Sequence, residues 1–263
     1  MSRRVSDPGK GNGFAGSGAA PVDAARRGFM AGGAAFAATA LAPGVTLMAY
    51  PESAGAANAP ARRWGMLIDT RLCPEGCTDC VTACSTEFGW GPAAGQVPRP
   101  GTDPQWIRKI AVKDPDTGAA FSLPVMCQHC AEPPCVDVCP TGASFKRADG
   151  IVLVDRHICI GCRYCMMACP YKARSFVHEE VQDQKPYAPR GKGTVEGCTL
   201  CVHRVDRGGQ PACVEACAAA GHNAMIFGDL GDPGSEISRR VAAHRTTRIR
   251  ADLGTDPGIH YEI

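Results

Sequence analysis

Short apolar runs that end in aspartate recur along the chain, and each lies just before a group of cysteines. Residues 66–69 (MLID) precede Cys73, and residues 151–155 (IVLVD) precede Cys159, with the same spacing from aspartate to cysteine. Short apolar runs that contain β-branched residues predict strands. The repetition predicts an internal repeat in which a strand leads into each cysteine group.

Other elements are predicted from alternation and turn residues. Residues 106–112 and 119–125 flank the turn sequence Asp-Pro-Asp-Thr-Gly at 114–118 and predict a β-hairpin. Residues 178–197 are polar, contain two prolines and three glycines, and predict a connecting loop. The remaining predicted elements are a Gly/Pro-rich insertion over 89–104, helices over 80–84 and 235–244, and an extended tail over 253–263.

Residues 1–56 have the pattern of a disordered segment followed by an export signal. Residues 1–24 are polar and glycine-rich. Arg26 and Arg27 then precede an Ala/Gly-rich apolar stretch, and residues 54–56 (AGA) fit a cleavage site for small residues. This order predicts a twin-arginine signal, which sends a folded protein to the periplasm. The alternative is a retained membrane anchor over 28–50, which has the length of a span but few large apolar residues.

Composition singles out cysteine as the residue that function must explain. The chain has 16 cysteines in 263 residues, and its formal net charge is only +2. Such a balance gives no basic signature for nucleic acid. The sequence also has no nucleophile motif, P-loop or Rossmann glycine pattern, so we expect no substrate-converting site.

The cysteines form four runs of four. The third run has the bacterial ferredoxin spacing C-x2-C-x2-C-x3-C-P without deviation. Four thiolates per run predict four [4Fe–4S] clusters, with no cysteine left over. The runs are Cys73, Cys77, Cys80 and Cys84; Cys127, Cys130, Cys135 and Cys139; Cys159, Cys162, Cys165 and Cys169; and Cys198, Cys201, Cys213 and Cys217.

Three other uses of cysteine account for this spacing less well. Zinc ribbons use C-x2-C pairs, but not a triple followed by x3-C-P. A secreted disulfide scaffold would suit an even cysteine count but would not explain the fourfold repetition. Covalent c-type haem requires C-x-x-C-H, which does not occur here.

The fold class that follows is α+β, with two ferredoxin-like modules that are loop-rich and hold two clusters each. The inner module comprises residues 127–177, and the outer module comprises 64–126 and 178–230. Residues 231–263 form a C-terminal helix and extended tail.

In two-cluster ferredoxins the fourth cysteine of one run binds the cluster of the other run. That rule predicts inner ligand sets of Cys127, Cys130, Cys135 and Cys169, and of Cys159, Cys162, Cys165 and Cys139. By analogy, it predicts outer sets of Cys73, Cys77, Cys80 and Cys217, and of Cys198, Cys201, Cys213 and Cys84.

Basic residues beside the runs are candidates for offsetting cluster charge. Each oxidised [4Fe–4S] core with four thiolates has a charge of about −2. The alternative, solvated surface charge, is at least as good for each residue taken singly. The candidates are Lys146, Arg147, Arg163, Lys172, Arg174 and Arg204.

Over residues 64–230 the four-run arrangement resembles the iron–sulfur subunits that accompany molybdopterin oxidoreductases and NrfD-type membrane proteins. Within that group the chain is most similar to the DsrO-type subunits of the DsrMKJOP membrane complexes of dissimilatory sulfur metabolism. Two departures from the wider group lie in the outer module: its first run has an x3 spacing, and Ser85 and Ala218 replace the usual prolines. The segments that carry the closer resemblance are 64–69, 127–130, 140–150, 162–176 and 221–230.

The resemblance implies that the two ferredoxin-like modules are pseudo-symmetric and that the outer ligands pair as given above. It also implies a relay of single electrons within a quinone-linked complex at the outer face of the cytoplasmic membrane. It implies as partners an NrfD-like integral membrane subunit, a periplasmic multihaem cytochrome c and further subunits of the complex. One alternative is the electron-transfer small subunit of a periplasmic molybdopterin oxidoreductase of the polysulfide reductase, dimethyl sulfoxide reductase or formate dehydrogenase type. Another is a structural or regulatory cluster protein without electron flow.

Overall fold

The computed structural model of the protein describes residues 39–42, 45–47, 62–92, 97–99, 101–113, 115–116, 118, 120–182 and 184–263. The chain divides into two units, Met1–Ala59 and Pro60–Ile263. In the first unit β1 (Thr39–Ala42) and β2 (Val45–Leu47) pair antiparallel. The predicted export residues Arg26 and Arg27 and the predicted cleavage site at 54–56 lie outside the described residues.

The second unit combines short strands and short helices in small sheets, which confirms the mixed α and β content predicted from the sequence. Its strands in the described part of the chain are β3 (Trp64–Asp69), β4 (Ile107–Lys113), β5 (Ala120–Met126), β6 (Ser144–Lys146), β7 (Val152–Val154), β8 (Arg174–Phe176), β9 (Val195–Gly197), β10 (Met225–Asp229) and β11 (Ile259–Glu262). The α-helices are α1 (Asp79–Phe88), α2 (Pro134–Asp137), α3 (Tyr164–Ala168), α4 (Val202–Val205), α5 (Ala212–Ala219) and α6 (Glu236–Ala243). None of the helices in these described ranges is long and apolar enough to cross a membrane.

Strand pairing joins the end of each cysteine run to the start of another. β6, after the second run, pairs with β7, before the third. β8, after the third run, pairs with β9, before the fourth. β10, after the fourth run, pairs with β3, before the first. A strand therefore leads into each run, as the repeat before Cys73 and Cys159 predicted for two of them.

The segment predicted as a loop over 178–197 ends in a strand, so that prediction is wrong at residues 195–197. The polar composition that suggested a loop has a structural explanation. Glu196 is fully buried within β9, where it accepts hydrogen bonds from Arg190 at 2.9 and 2.8 Å. A buried ion pair makes a strand look polar in the sequence.

The predicted hairpin is confirmed, with both strands displaced by one residue. β4 and β5 pair antiparallel from Ile107 opposite Met126 to Lys113 opposite Ala120. Gly118 in the turn has a φ of +71°, which favours glycine. The hairpin delivers the chain directly from β5 to Cys127, the first cysteine of the second run.

The helices pair the four runs. α1 of the first run packs on α5 of the fourth, and α2 of the second packs on α3 of the third. α1 extends to Phe88, beyond the predicted residues 80–84, and ends where Gly89 adopts a φ of +65° and its N–H donates to the Ser85 carbonyl. This packing brings cysteines of the first and fourth runs together in one place, and cysteines of the second and third runs together in another.

The C-terminal segment completes the largest sheet. α6 confirms the predicted helix, and the Ser235 hydroxyl caps it by accepting a hydrogen bond from the Ser238 N–H. The predicted extended tail forms β11, which pairs parallel with β3 and gives the strand order β10–β3–β11. The sequence predicted the extended conformation but not this pairing. Within β11, Ile259 and Tyr261 are fully buried.

Replacing Tyr261 with phenylalanine should destabilise the protein. The Tyr261 hydroxyl donates to the Pro124 carbonyl at 3.0 Å and accepts from Gln128 Nε2 at 3.2 Å. Leaving buried polar groups without this partner costs about 1–3 kcal/mol. We expect unfolding in guanidinium chloride, followed by far-ultraviolet circular dichroism, to be roughly tenfold faster. Tyr164→Phe is the control because Tyr164 is exposed, and equal rates for the two variants would contradict the role of the hydroxyl.

Candidate metal centre

All sixteen cysteines are free thiols, and most are buried. Cys162 is the exposed member, and the others are buried or half-buried. Thiols that point inward in this number need a common partner, because a free thiol hydrogen bonds only weakly. Their grouping in space identifies what they surround.

Two groups of four sulfurs line two small cavities in the region of the second and third runs. Each cavity takes three cysteines from one run and the fourth cysteine from the other. The two cavities are similar in size and each is lined by four sulfurs, as expected if both hold the same chemical group. Group C consists of Cys127, Cys130, Cys135 and Cys169, and group D of Cys139, Cys159, Cys162 and Cys165.

A third group lies where α1 meets α5. Burial raises the pKa of Cys80 to about 12, and the charges of Cys73, Cys77 and Cys217 act in the same direction. Burial also raises the pKa of Cys217, to which Cys73 and Cys77 contribute. These four sulfurs, called group A below, therefore lie close enough to affect one another's ionisation.

The fourth group joins α1 to the fourth run. Burial raises the pKa of Cys84 well above its usual range, and Cys198 and Cys201 raise it further. The pKa of Cys213 is also raised well above its usual range, by burial first and then by Cys84 and Cys201. Cys84, Cys198, Cys201 and Cys213 form group B. In the unmetallated chain these thiols are protonated, so metal binding must release protons.

Sulfurs of groups A and B, of groups B and C, and of groups C and D act on each other electrostatically, which indicates the order A, B, C, D. The linking pairs are Cys80 with Cys84, Cys198 with Cys127, and Cys135 with Cys165.

Backbone N–H groups donate hydrogen bonds to sulfurs of groups A, B and D. Ala224 donates to Cys217 in group A at 3.3 Å, and Ser144 donates to Cys139 in group D at 3.4 Å. Although burial opposes it, the N–H of Ser144 helps to hold the pKa of Cys139 below its usual value. N–H donors around ligand sulfurs tune a metal site's potential and stabilise its negative charge.

Two side chains also donate to sulfurs. Trp90 Nε1 donates to Cys84 Sγ at 3.3 Å, and Arg174 Nη2 donates to Cys135 Sγ at 3.2 Å. Trp90 lies in the Gly/Pro-rich insertion, where no sequence motif marks it as a functional residue. Arg174 was one of six basic candidates, and only the structure shows its contact with sulfur.

The sulfur groups fit a multi-metal cluster better than a single ion. Cys77, Asp79 and His222 are the one set of three ligand atoms among the described residues that lie within 4.8 Å of one another. The four-sulfur groups are therefore wider than a zinc ion requires, since zinc lies about 2.3 Å from each sulfur. Four thiolates around a small cavity, with N–H donors to the sulfurs, suit a [4Fe–4S] cluster.

The chain matches the family model of the 4Fe–4S dicluster domain over residues 118–230, which include the second, third and fourth runs. This match independently supports iron–sulfur clusters as the group that the cysteines hold. It also agrees with the ferredoxin spacing of the third run.

Relatives of known class extend the match to the first run. The chain is 41% identical over 228 residues to the Hdr-like menaquinol oxidoreductase iron–sulfur subunit 1 of Archaeoglobus fulgidus, covering 76% of this chain and 83% of that protein. It is 38% identical to a subunit of the tetrathionate reductase of Salmonella typhimurium, covering 78% and 74% of the two chains. It is 39% identical to protein NrfC of Escherichia coli K12, covering 75% and 79%. The chain belongs to the family of electron-transferring iron–sulfur subunits of membrane-associated oxidoreductase complexes.

Proposed function

We propose that this chain is a DsrO-type periplasmic subunit that relays single electrons through four [4Fe–4S] clusters, held by groups A to D, in a quinone-linked membrane complex of dissimilatory sulfur metabolism. The observation that carries the proposal is the series of four neighbouring four-sulfur groups. A series of closely spaced redox centres conducts electrons, and an isolated structural metal site has no need of such an arrangement.

In this relay the protein holds the clusters, buries their thiolate ligands and tunes their reduction potentials. The clusters, when bound, supply the one-electron chemistry. The sulfurs of groups A and B are held by α1 and α5 with the strands β3 and β10, and those of groups C and D by α2 and α3. We take these two halves as pseudo-symmetric ferredoxin-like modules. Burial excludes water from the thiolates, and N–H donors stabilise their negative charge.

The proposed place in the cell follows from the proposed export signal. Iron–sulfur clusters are assembled before export, so a chain that carries them needs a route for folded proteins, which Arg26 and Arg27 would provide. We propose an NrfD-like integral membrane subunit and a periplasmic multihaem cytochrome c as partners, with membrane attachment through those partners. The similarity to an iron–sulfur subunit of a menaquinol oxidoreductase supports the quinone-linked complex.

A second candidate is the small subunit of a periplasmic molybdopterin oxidoreductase. The similarity to the tetrathionate reductase subunit favours it. Both candidates use the same relay, so they differ in the protein that exchanges electrons with the relay and not in groups A to D.

Isolation of the native complex from detergent-solubilised membranes tests the proposal. A multihaem cytochrome c and an NrfD-like protein that copurify with the chain would support the sulfur-metabolism complex. A large molybdopterin-containing subunit in their place would contradict it and establish the second candidate. A tagged chain that lacks the N-terminal unit serves as the control for nonspecific association.

Replacing Trp90 with phenylalanine should lower one cluster potential selectively. The variant removes the indole N–H that donates to Cys84 in group B and keeps an aromatic ring in place. Loss of one such bond is worth about 1 kcal/mol, or roughly 40 mV for a one-electron couple. Redox titration followed by electron paramagnetic resonance should show one potential shifted and three unchanged. Trp64→Phe is the control, because Trp64 stacks on Phe227; an equal shift there would contradict the prediction.

A further inference from the structure

Arg174 is buried against the cysteine sulfurs in a way that none of the other five basic candidates is. It is 7% exposed, and its Nη2 donates to both Cys135 Sγ at 3.2 Å and Ser144 Oγ at 2.9 Å. These two hydrogen bonds fix the plane of the guanidinium at the edge of the group C cavity, which Arg174 itself lines. The orientation is therefore set by a cluster sulfur on one side and by a hydroxyl on the other.

None of the other five candidates has a recognised hydrogen bond to a cysteine sulfur within the described residues. Arg147 pairs with Asp149 and Asp206, and Arg204 pairs with Glu87 and Glu215. The three remaining side chains, all exposed, are Lys146, Arg163 and Lys172.

Arg174 contacts group C directly and is linked to group D through Ser144. Its Nη2 donates to Ser144 Oγ, and the N–H of Ser144 donates to Cys139 Sγ of group D. In agreement with this geometry, burial opposes the charge of Arg174, but the sulfurs of Cys135, Cys127 and Cys165 raise its pKa above the usual value. The first two sulfurs belong to group C and the third to group D. One cation thus acts on ligand sulfurs of both inner groups.

The strand pair that carries Arg174 is closely packed. Arg174 in β8 lies opposite Gly197 in β9. A Cβ at position 197 would lie 2.8 Å from the Ala173 carbonyl oxygen, so the close approach of the two strands requires glycine there. A buried guanidinium needs a negative partner. In the described part of the chain, the guanidinium of Arg174 donates hydrogen bonds to a cysteine sulfur and a serine hydroxyl.

We propose that Arg174 is the shared counter-ion of the two inner clusters and raises the midpoint potential of both. The inference rests on the proposed function, since it assumes [4Fe–4S] clusters in groups C and D. Reduction adds one electron from the reductant to a cluster and makes that site more negative by one charge. A fixed positive charge beside the sulfurs stabilises the reduced form. No proton is exchanged at Arg174, because a guanidinium stays protonated.

Redox titration of the holoprotein, followed by electron paramagnetic resonance, tests the proposal with three variants. In Arg174→Gln we expect two of the four potentials to fall. At the wild-type midpoints the ratio of reduced to oxidised cluster should drop at least tenfold, which is 59 mV for a one-electron couple. Arg174→Lys keeps the charge and should shift both potentials by less than half as much. Arg147→Gln removes the same charge from a surface ion pair and should shift none.

Several results would overturn the proposal. They are unchanged potentials in Arg174→Gln, an equal shift of all four potentials, or equal shifts in the glutamine and lysine variants. Failed assembly is also informative. If the glutamine variant retains about 8 iron atoms and the lysine variant about 16, four for each cluster, the charge is needed for assembly and the proposal stands. If both variants lose the inner clusters, Arg174 acts through packing and the proposal fails. Fewer than four reducible clusters in the wild type would instead contradict the proposed relay.

Discussion

Replacing Cys169 with alanine is expected to damage the cluster of the second run and to spare the cluster of the third run, to which Cys169 belongs in sequence. The reason is geometric. Cys169 lines the cavity of group C together with Cys127, Cys130 and Cys135. A [4Fe–4S] cluster that loses one of its four thiolates loses iron or fails to assemble. The effect is large because no other cysteine is free to replace the missing ligand.

Double variants identify the cluster to which Cys169 belongs. Cys169→Ala combined with Cys127→Ala removes two ligands from one group, so iron should fall only from about 16 to about 12 atoms per chain. Cys169→Ala combined with Cys159→Ala removes one ligand from each of two groups, and iron should fall to about 8. Iron and acid-labile sulfide analysis of the purified proteins measures both. The reverse pattern would contradict the exchange of fourth cysteines and show that each run wraps its own cluster.

Replacing Arg190 with methionine should destabilise the folded protein by about 3–5 kcal/mol, the cost of leaving a buried charge without its partner. Arg190 is 7% exposed and donates to both carboxylate oxygens of Glu196, which is fully buried. It also donates to the carbonyl of Gly89, at the end of α1. Its loss would therefore strip Glu196 of its counter-ion and loosen the contact between the 184–190 segment and α1.

The double variant Arg190→Met, Glu196→Leu distinguishes charge pairing from packing. Once neither charge is present, the penalty of the unpaired carboxylate disappears, and we expect most of the lost stability to return. Unfolding in guanidinium chloride, followed by circular dichroism, measures each variant. A double variant that is as unstable as the sum of the two single variants would contradict this account. The exposed pair Arg250 and Asp252 is the control, because removal of Arg250 from a solvated surface pair should leave stability nearly unchanged.

Cysteine spacing alone leads to the predicted inner ligand sets. The third run has the ferredoxin spacing, and the exchange rule then selects the same two sets of sulfurs that line the two cavities of groups C and D. The outer sets were extended by analogy. In the structure α1 packs on α5, and the sulfurs of Cys217 and Cys80, and of Cys84 and Cys213, act on each other electrostatically. The outer ligand sets stay a prediction.

Elements whose partners are distant in sequence could not be predicted in this way. The sequence of β11 predicts only an extended tail. Its pairing with β3 joins the two ends of the second unit, which are far apart in sequence. The sequence did not predict β9 because its central residue, Glu196, is charged. The ion pair with Arg190, which neutralises this buried charge, is visible only in the structure. Trp90 and Arg174 show the same limit at the site, since nothing in a sequence marks which of several polar side chains turns toward a sulfur.

The central claim is that sixteen thiolates hold four [4Fe–4S] clusters in a series that accepts electrons. The most direct test is reductive titration of the purified chain, combined with iron and acid-labile sulfide analysis. The account predicts about 16 iron atoms, about 16 sulfides and uptake of about four electrons per chain, one for each cluster. Zinc without sulfide, or about 8 iron atoms with two electrons, would contradict it.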